Sequence, residues 1–287
     1  MVLSYLRVFF MKILVTGANG MLGTDLCEVL KDEDLIATTH KDLDITDLDM
    51  VRSKFKEYNP DIIINCAAMT NVDACETEKD LAYNLNAEGP KNLAIATKEI
   101  DGTVVHISTD YVFKGDKHRP LLEDDEIGPD SIYGKSKLQG EENVENILDK
   151  YFILRTAWLY GVHGSNFIKK MLELSQNHDT LTVVNDQEGS PTFTKDLSLA
   201  IKEIIYSDKY GVYHVTNSGN TTWYEFSKLI FKKKGIDVNV KPVSSEEFDA
   251  PAPRPHYSVL SHDKWIKNGF TELRTYKEAL DEYLDLL

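Results

Sequence analysis

The stretch "KILVTGANGMLG", Lys12–Gly23, reads as a short apolar strand running directly into three glycines, Gly17, Gly20 and Gly23, at the spacing G-x-x-G-x-x-G. Glycines permit a tight turn and a close backbone approach, and a helix that follows offers its N-terminal N–H groups and positive dipole end to a pyrophosphate. That helix is written in the next residues: Leu22, Leu26, Val29 and Leu30 recur at i, i+4, i+7 and i+8 and share one face. A glycine-rich turn alone is a common way to join a strand to a helix. With the strand before it and the helix after it, dinucleotide binding is the better reading.

Further along the chain, "LIATT" (35–39), "DIIINC" (61–66), "TVVHIS" (103–108) and "YFILRT" (151–156) read as buried strands separated by amphipathic stretches. The βαβαβ order predicts an α/β fold, a Rossmann-type doubly wound parallel sheet. Beyond residue 157 the pattern is less regular, with strands at "LTVVND" (181–186) and "GVYHVT" (211–216) and a helix at "TTWYEFSKLIFKKK" (221–234). The expected division is a dinucleotide-binding domain over 11–157, with further sheet elements from about 181–216, and a smaller substrate lobe over 158–287 interleaved with it. The three prolines of "DAPAPRPHYS" (249–258) mark an ordered surface loop.

The chain has 287 residues, of which 42% are hydrophobic and 28% charged, an ordinary globular composition. Its 47 acidic against 32 basic residues give a formal charge of -15, which disfavours a sequence-independent grip on nucleic acid. Cys27, Cys66 and Cys75 are odd in number and lack metal-ligand spacing, so neither a disulfide framework nor a zinc site is expected, and a cytoplasmic location fits best. "MVLSYLRVFF" (1–10) is apolar, but Arg7 interrupts it and no small-residue cleavage site follows. It reads as a short extension, or the true start is Met11. No membrane span is expected.

A carboxylate at the end of the second strand would bind a ribose 2′-OH, whereas cations there accept a 2′-phosphate. Here the strand ends in Thr39, His40 and Lys41, with no acid until Asp42, so NADPH is favoured over NADH. His40 and Lys41 as plain solvated loop residues is nearly as good a reading. Asp44 and Ile45, in "LDITD" (43–47), would then flank the adenine.

The fourth strand delivers Ser108, Thr109 and Asp110 to the carboxyl end of the sheet, where open α/β folds bind their ligands. Further on, "SIYGKSK" (131–137) opens a helix on which Tyr133 and Lys137, four apart, share a face. By itself a Y-x-x-x-K match is weak; after a glycine turn and an S-T-D strand end it is specific. Hydride transfer to a carbonyl leaves an alkoxide that needs a proton, and a phenol with a pKa of about 10 is a poor acid unless a cation favours its phenolate. Lys137 is expected to supply that cation and to hold the nicotinamide ribose, and Thr109 to hydrogen-bond the carbonyl.

The ordered motifs "TGANGMLG", "PDIIINCAAMTNVDACE", "LNAEGPKNLA", "ISTDYVFKGD", "YGKSKLQGE", "LRTAWLYG", "NFIKKML", "NDQEGSPTFTKDL", "GVYHVTNSG" and "RPHYSVL" resemble the extended short-chain dehydrogenase/reductases and, within them, the dTDP-4-dehydrorhamnose reductase family. The resemblance implies NAD(P)H-dependent reduction of the 4-keto group of a dTDP-sugar, giving dTDP-L-rhamnose. It makes Thr109, Tyr133 and Lys137 the catalytic triad. It lines the cofactor with Gly17, Asn19, Gly20, Met21, Leu22 and Gly23, with Asp44 and Ile45, and with Ala67, Ala68, Met69 and Thr70. It sets Asp110 and Trp158 against the sugar nucleotide. Met21 departs from a frequent glutamine, and Thr39 from an aspartate in some members, which bears on the choice between NADH and NADPH.

Arg254, in the proline-rich loop, is a candidate for a bidentate grip on the diphosphate, with a solvated loop arginine the equal alternative. Asn166 and Gln187 are candidates for ligand hydrogen bonds, with buried structural amides the plainer reading. His106, inside an apolar strand, is expected in the core, and the acids of "LLEDDE" (121–126) in a solvated loop. Some family members dimerise around magnesium; the sequence specifies no such site and is compatible with a monomer or a homodimer. A dehydratase on this fold would add an Asp–Glu pair after the threonine, whereas Asp110 is followed by Tyr111. A different class, the regulatory subunit of methionine adenosyltransferase, also looks like this family, and the retention of Thr109, Tyr133 and Lys137 argues for catalysis.

Overall fold

The computed structural model describes residues 11–287; the expectation for residues 1–10 lies outside them. Six strands form the central sheet: β1 (Lys12–Thr16), β2 (Asp34–Thr38), β3 (Ile62–Asn65), β4 (Thr103–Thr109), β5 (Tyr151–Thr156) and β6 (Gly211–His214). Their order is β6-β5-β4-β3-β1-β2, and every neighbouring pair is parallel. The chain winds outward from β1 to β2, then crosses to β3 on the other side. The winding reverses between β1 and β3, and a crevice opens beyond their carboxyl ends.

The middle strands are apolar on both faces because both faces are covered. Ile13, Val15 and Ile64 pack on one side with Leu26 of helix α1 (Met21–Val29) and with Leu197 and Ile201 of a C-terminal helix, Thr194–Ile204. Leu14, Ile63 and Val104 pack on the other with α2 (Leu48–Tyr58), α3 (Gly89–Glu99) and α4 (Ile132–Ile147), through Phe55, Leu93 and Val144. Of the predicted face of α1, Leu22, Leu26 and Leu30 are buried and Val29 is half-buried.

The later strands separate. β6, read at 211–216, joins the main sheet beside β5. The strand read at 181–186 instead forms Thr180–Val184, paired in parallel with Asn239–Val243 in a ribbon of its own. The rest of the C-terminal half has a separate aromatic core, in which Tyr160, Phe193, Phe226 and Tyr283 meet. The expected helix at 221–234 runs Trp223–Lys234, capped by the Thr222 side chain and ended by Gly235 in the left-handed region, φ 65°. No helix among the described residues is long and apolar enough to cross a membrane.

Candidate active site

The crevice holds a cavity of about 430 Å³. Gly20, Met21, Leu22 and Gly23 line it from the glycine turn, Ala68 and Thr70 from the loop after β3, Thr109 and Asp110 from β4, Tyr133 and Lys137 from α4, and Trp158 from beyond β5. These residues are scattered from 20 to 158 in sequence, and the parallel sheet brings them together because all its strands end on the same side.

The turn is built for close approach. Gly17 has φ 65°, and a Cβ there would lie 2.8 Å from the Ala67 backbone nitrogen. A Cβ at Gly23 would collide with the Gly17 carbonyl, so the start of α1 folds tightly under the turn. The Ala18 N–H donates to the Thr38 carbonyl at 3.0 Å and ties the turn to the end of β2. Asn19 is exposed at its tip.

At the end of β2 the Asp42 carboxylate accepts from the Thr39 N–H at 2.9 Å and hydroxyl at 2.7 Å. Those bonds hold its carboxyl below the usual range. His40 and Lys41 are exposed. Asp44 accepts from the Thr46 N–H and hydroxyl at 2.9 and 2.7 Å. The Ile45 side chain, expected beside adenine, is buried in the core against Gly89. None of these residues lines the cavity.

Thr109 closes β4, where its hydroxyl donates to Asp110 Oδ1 at 3.0 Å and accepts from the Tyr111 N–H at 3.2 Å. Ser131 caps α4, accepting from the Gly134 N–H at 3.0 Å. A Cβ at Gly134 would strike the Tyr111 carbonyl, so glycine lets the helix start lie against the end of β4. Tyr133 stands edge-on to Tyr111 with ring centroids 5.4 Å apart.

Burial pushes the Tyr133 phenol above its ordinary value, with the Thr109 hydroxyl acting against it. Lys137 Nζ donates to the Ile107 carbonyl at 2.6 Å, and it lies 3.4 Å from His106 Nε2. Burial pushes its amine down to about 8, with the Glu141 carboxylate opposing. Asp110 is buried and its Oδ2 has no hydrogen-bond partner among the described residues. Burial pushes this acid up to about 6.

Trp158 takes a left-handed φ of 48°, rare for a bulky residue and typical of sites where the surroundings enforce strain. Its ring stacks on Trp223 with centroids 3.5 Å apart and planes 6° from parallel. Trp223 also lines the cavity. In the sequence it was one more aromatic at the start of a helix, with no signal of that role.

Asn86 also escaped the sequence reading. It lies in a wide π turn, Asn84–Glu88, a distortion frequent at functional sites. Its amide accepts from the Met69 N–H at 2.8 Å and donates to the Met69 carbonyl and the Ser136 hydroxyl, each at 3.0 Å, which locks the loop after β3 to α4.

Two candidates are bonded within the protein. Asn166, expected on substrate, caps the helix Phe167–Ser175 and donates to the Gly161 carbonyl at 2.8 Å and to the Tyr283 hydroxyl at 3.2 Å. Arg254, expected on the diphosphate, pairs with Asp73 at 2.9 Å and donates to the Ala252 carbonyl at 2.9 Å. Neither lines the cavity, although Ser165 does. Gln187 donates to Ser245 Oγ at 2.9 Å. In the acidic loop, Asp125 pairs with Arg119 and Lys117. The described residues contain no cluster of three or more His, Cys, Asp or Glu side chains set to hold a metal.

The sheet order and the glycine turn at its switch point define a short-chain dehydrogenase/reductase type of fold. The chain belongs to the family described as RmlD substrate binding domain, whose sequence model matches residues 11–287. It is 46% identical to the spore coat polysaccharide biosynthesis protein SpsK of Bacillus subtilis, over 95% of this chain and 96% of the relative. A solved dTDP-4-dehydrorhamnose reductase from Clostridium acetobutylicum superposes with a TM-score of 0.94 at 48% identity, covering 96% of this chain and 99% of that one. The Bacillus anthracis dTDP-4-dehydrorhamnose reductase, solved in complex with NADP, gives 0.94 at 44% identity, over 97% of this chain and 100% of that one.

Proposed function

We propose that this protein is an NADPH-dependent reductase that converts the 4-keto group of dTDP-4-dehydro-L-rhamnose to the alcohol of dTDP-L-rhamnose. The observation that carries the reading is the meeting of Thr109, Tyr133 and Lys137 in one cavity with the glycine turn, in a chain matching reductases of that name over nearly its full length. The bound dinucleotide would supply the hydride. Tyr133 would give its phenolic proton to the oxygen left by hydride addition. Thr109 would hydrogen-bond that oxygen and fix the carbonyl at the end of β4. Lys137, whose amine lies at the back of the cavity, would hold the nicotinamide ribose and favour the tyrosinate.

The glycine turn fits a pyrophosphate, because side chains at Gly17 and Gly23 would fill the space the backbone needs. NADPH is favoured over NADH because the Asp42 carboxylate is occupied by Thr39 while His40 and Lys41 remain exposed. Asp110, with its unpartnered oxygen, and the Trp158–Trp223 stack would meet the sugar nucleotide. In this reading residues 11–157 bind the dinucleotide and 158–287 mainly the substrate. The protein acts in the cytoplasm, as a monomer or a homodimer.

The test is oxidation of NADPH and NADH, in parallel, by purified protein given the dTDP-4-keto-6-deoxyhexose. Formation of dTDP-rhamnose with NADPH preferred is expected. Cofactor binding without turnover would defeat the substrate assignment.

A further inference from the structure

Along the wall of the cavity a buried chain of polar side chains crosses the sheet from β1 to α4. The Thr16 hydroxyl donates to Asn65 Oδ1 at 2.7 Å, Asn65 Nδ2 lies 3.2 Å from His106 Nδ1, and His106 Nε2 lies 3.4 Å from Lys137 Nζ. Asn65 and His106 are 1% and 0% exposed, so water does not blur the pattern. One fixed donor sets its direction. The Ala67 backbone N–H points at Asn65 Oδ1, 3.2 Å away, and a backbone N–H can only donate. The amide oxygen of Asn65 therefore faces Ala67 and Thr16, and its NH₂ faces His106. An amide nitrogen also only donates, so His106 Nδ1 accepts and the proton of the neutral ring sits on Nε2. Burial keeps that ring neutral.

The Nε2 proton points at Lys137. An N–H facing an ammonium is a mismatch, since neither group has a lone pair to offer. The distances agree: Nζ is drawn to 2.6 Å from the Ile107 carbonyl and stands 3.4 Å from His106, beyond the ordinary range of such a bond. We propose that His106, locked as the Nε2–H tautomer by Asn65, is a positioning residue that closes the rear of the lysine site to an ammonium. Lys137 thereby turns its charge toward the cavity and gives up its proton more readily than a surface lysine.

The other groups around Lys137 are the Ile107 carbonyl on β4, the Cys66 thiol beyond β3, and Tyr133 and Glu141 on its own helix. The Glu141 carboxylate favours the ammonium, but it is itself bound by Arg155 and Ser108. His106 faces Asn65, Lys137 and the backbone at Gly140. The inference rests on the reading of Lys137 as the lysine of the reductase, and its test does not depend on turnover.

Two-bond nitrogen–proton NMR on protein labelled in its histidines, with His106→Gln to assign the signal, reads the tautomer directly. The Nε2–H pattern, unchanged across neutral pH, is expected; an Nδ1–H pattern or an imidazolium would overturn the proposal. Asn65→Asp replaces the donor with an acceptor, so Nδ1 takes the proton and Nε2 becomes an acceptor for the ammonium. The titration of Lys137, followed on its labelled side chain, should then rise by about one pH unit, roughly tenfold in proton affinity, and by clearly less in Asn65→Asp with His106→Gln, which keeps the new charge but removes the ring; an equal rise in both would overturn the coupling. A switched tautomer with an unmoved lysine would overturn the coupling. Should Asn65→Asp fail to fold, the wild-type tautomer still decides. Absence of turnover with both NMR results as expected would count against the reductase reading alone.

Discussion

Two carboxylates are buried near Tyr133 and Lys137, Glu141 on their own helix and Asp110 just after β4, and they are held in opposite ways. Glu141, 2% exposed, accepts from Arg155 at 2.7 and 3.0 Å and from the Ser108 hydroxyl at 2.5 Å. Asp110, also 2% exposed, has one oxygen on the Thr109 hydroxyl, while the other, with the Ser258 hydroxyl nearby, has no well-formed hydrogen bond among the described residues. A matched buried pair is architecture: it fixes α4 against β4 and β5 while its charges cancel. An unmatched buried oxygen is destabilising where it stands, and such groups collect where a ligand is to be met. Burial is common to the two acids; what separates them is the partner.

The contrast can be broken experimentally. Tyr133→Phe removes the proposed proton donor from the cavity side and should lower kcat by about 10²- to 10⁴-fold while leaving dinucleotide affinity unchanged in a fluorescence titration. Wild-type turnover by this variant would remove the acid role. On the architectural side, Glu141→Gln leaves Arg155 buried with its charge uncompensated and should cost about 3–5 kcal/mol of stability in urea unfolding. Replacing both, with Glu141→Leu and Arg155→Met, should recover most of that loss; an equal loss in the double variant would mean that the pair does not act as a unit.

Asp110 makes stability depend on pH. Its folded pKa of about 6 lies above the unfolded value, so between roughly pH 4 and 6 the folded state holds a proton that the unfolded chain has released. Stability from this group is present at low pH and is lost as pH rises through 6, by about 3 kcal/mol at most. Asp110→Asn should flatten that part of the stability profile, measured by urea unfolding at the two ends. An unchanged profile would show that the carboxyl is satisfied after all. The smallest effect is expected at the aromatic wall. Trp223→Ala removes the stacking partner of Trp158, a contact worth about 0.5–1.5 kcal/mol beyond area burial, and should raise the substrate KM roughly threefold to tenfold with the cofactor Kd unmoved.

The resemblance and the spacing together singled out Thr109, Tyr133 and Lys137, which the structure brings into one cavity, because strand ends and helix faces are local properties. They did not reach Trp223 or Asn86, whose roles depend on contacts with Trp158, Met69 and Ser136 far along the chain. They left Asn166 open between ligand contact and structural amide, and Arg254 between ligand contact and solvated loop residue, and the structure bonds both within the protein. An amide or a guanidinium carries the same chemistry in either use, and only its neighbours decide which use it has.

By itself the sequence determined the alternation of strands and helices, the glycine turn and its place after β1, because each is a matter of period and steric freedom over a few residues. Tertiary structure alone decided that Gly211–His214 joins the main sheet while Thr180–Val184 pairs with Asn239–Val243. It also decided that Asp110 stays unmatched, that Glu141 finds Arg155, and that His106 faces Lys137. Hydrogen-bond partners, desolvation and charge are properties of a place, and a place exists only after the chain has folded.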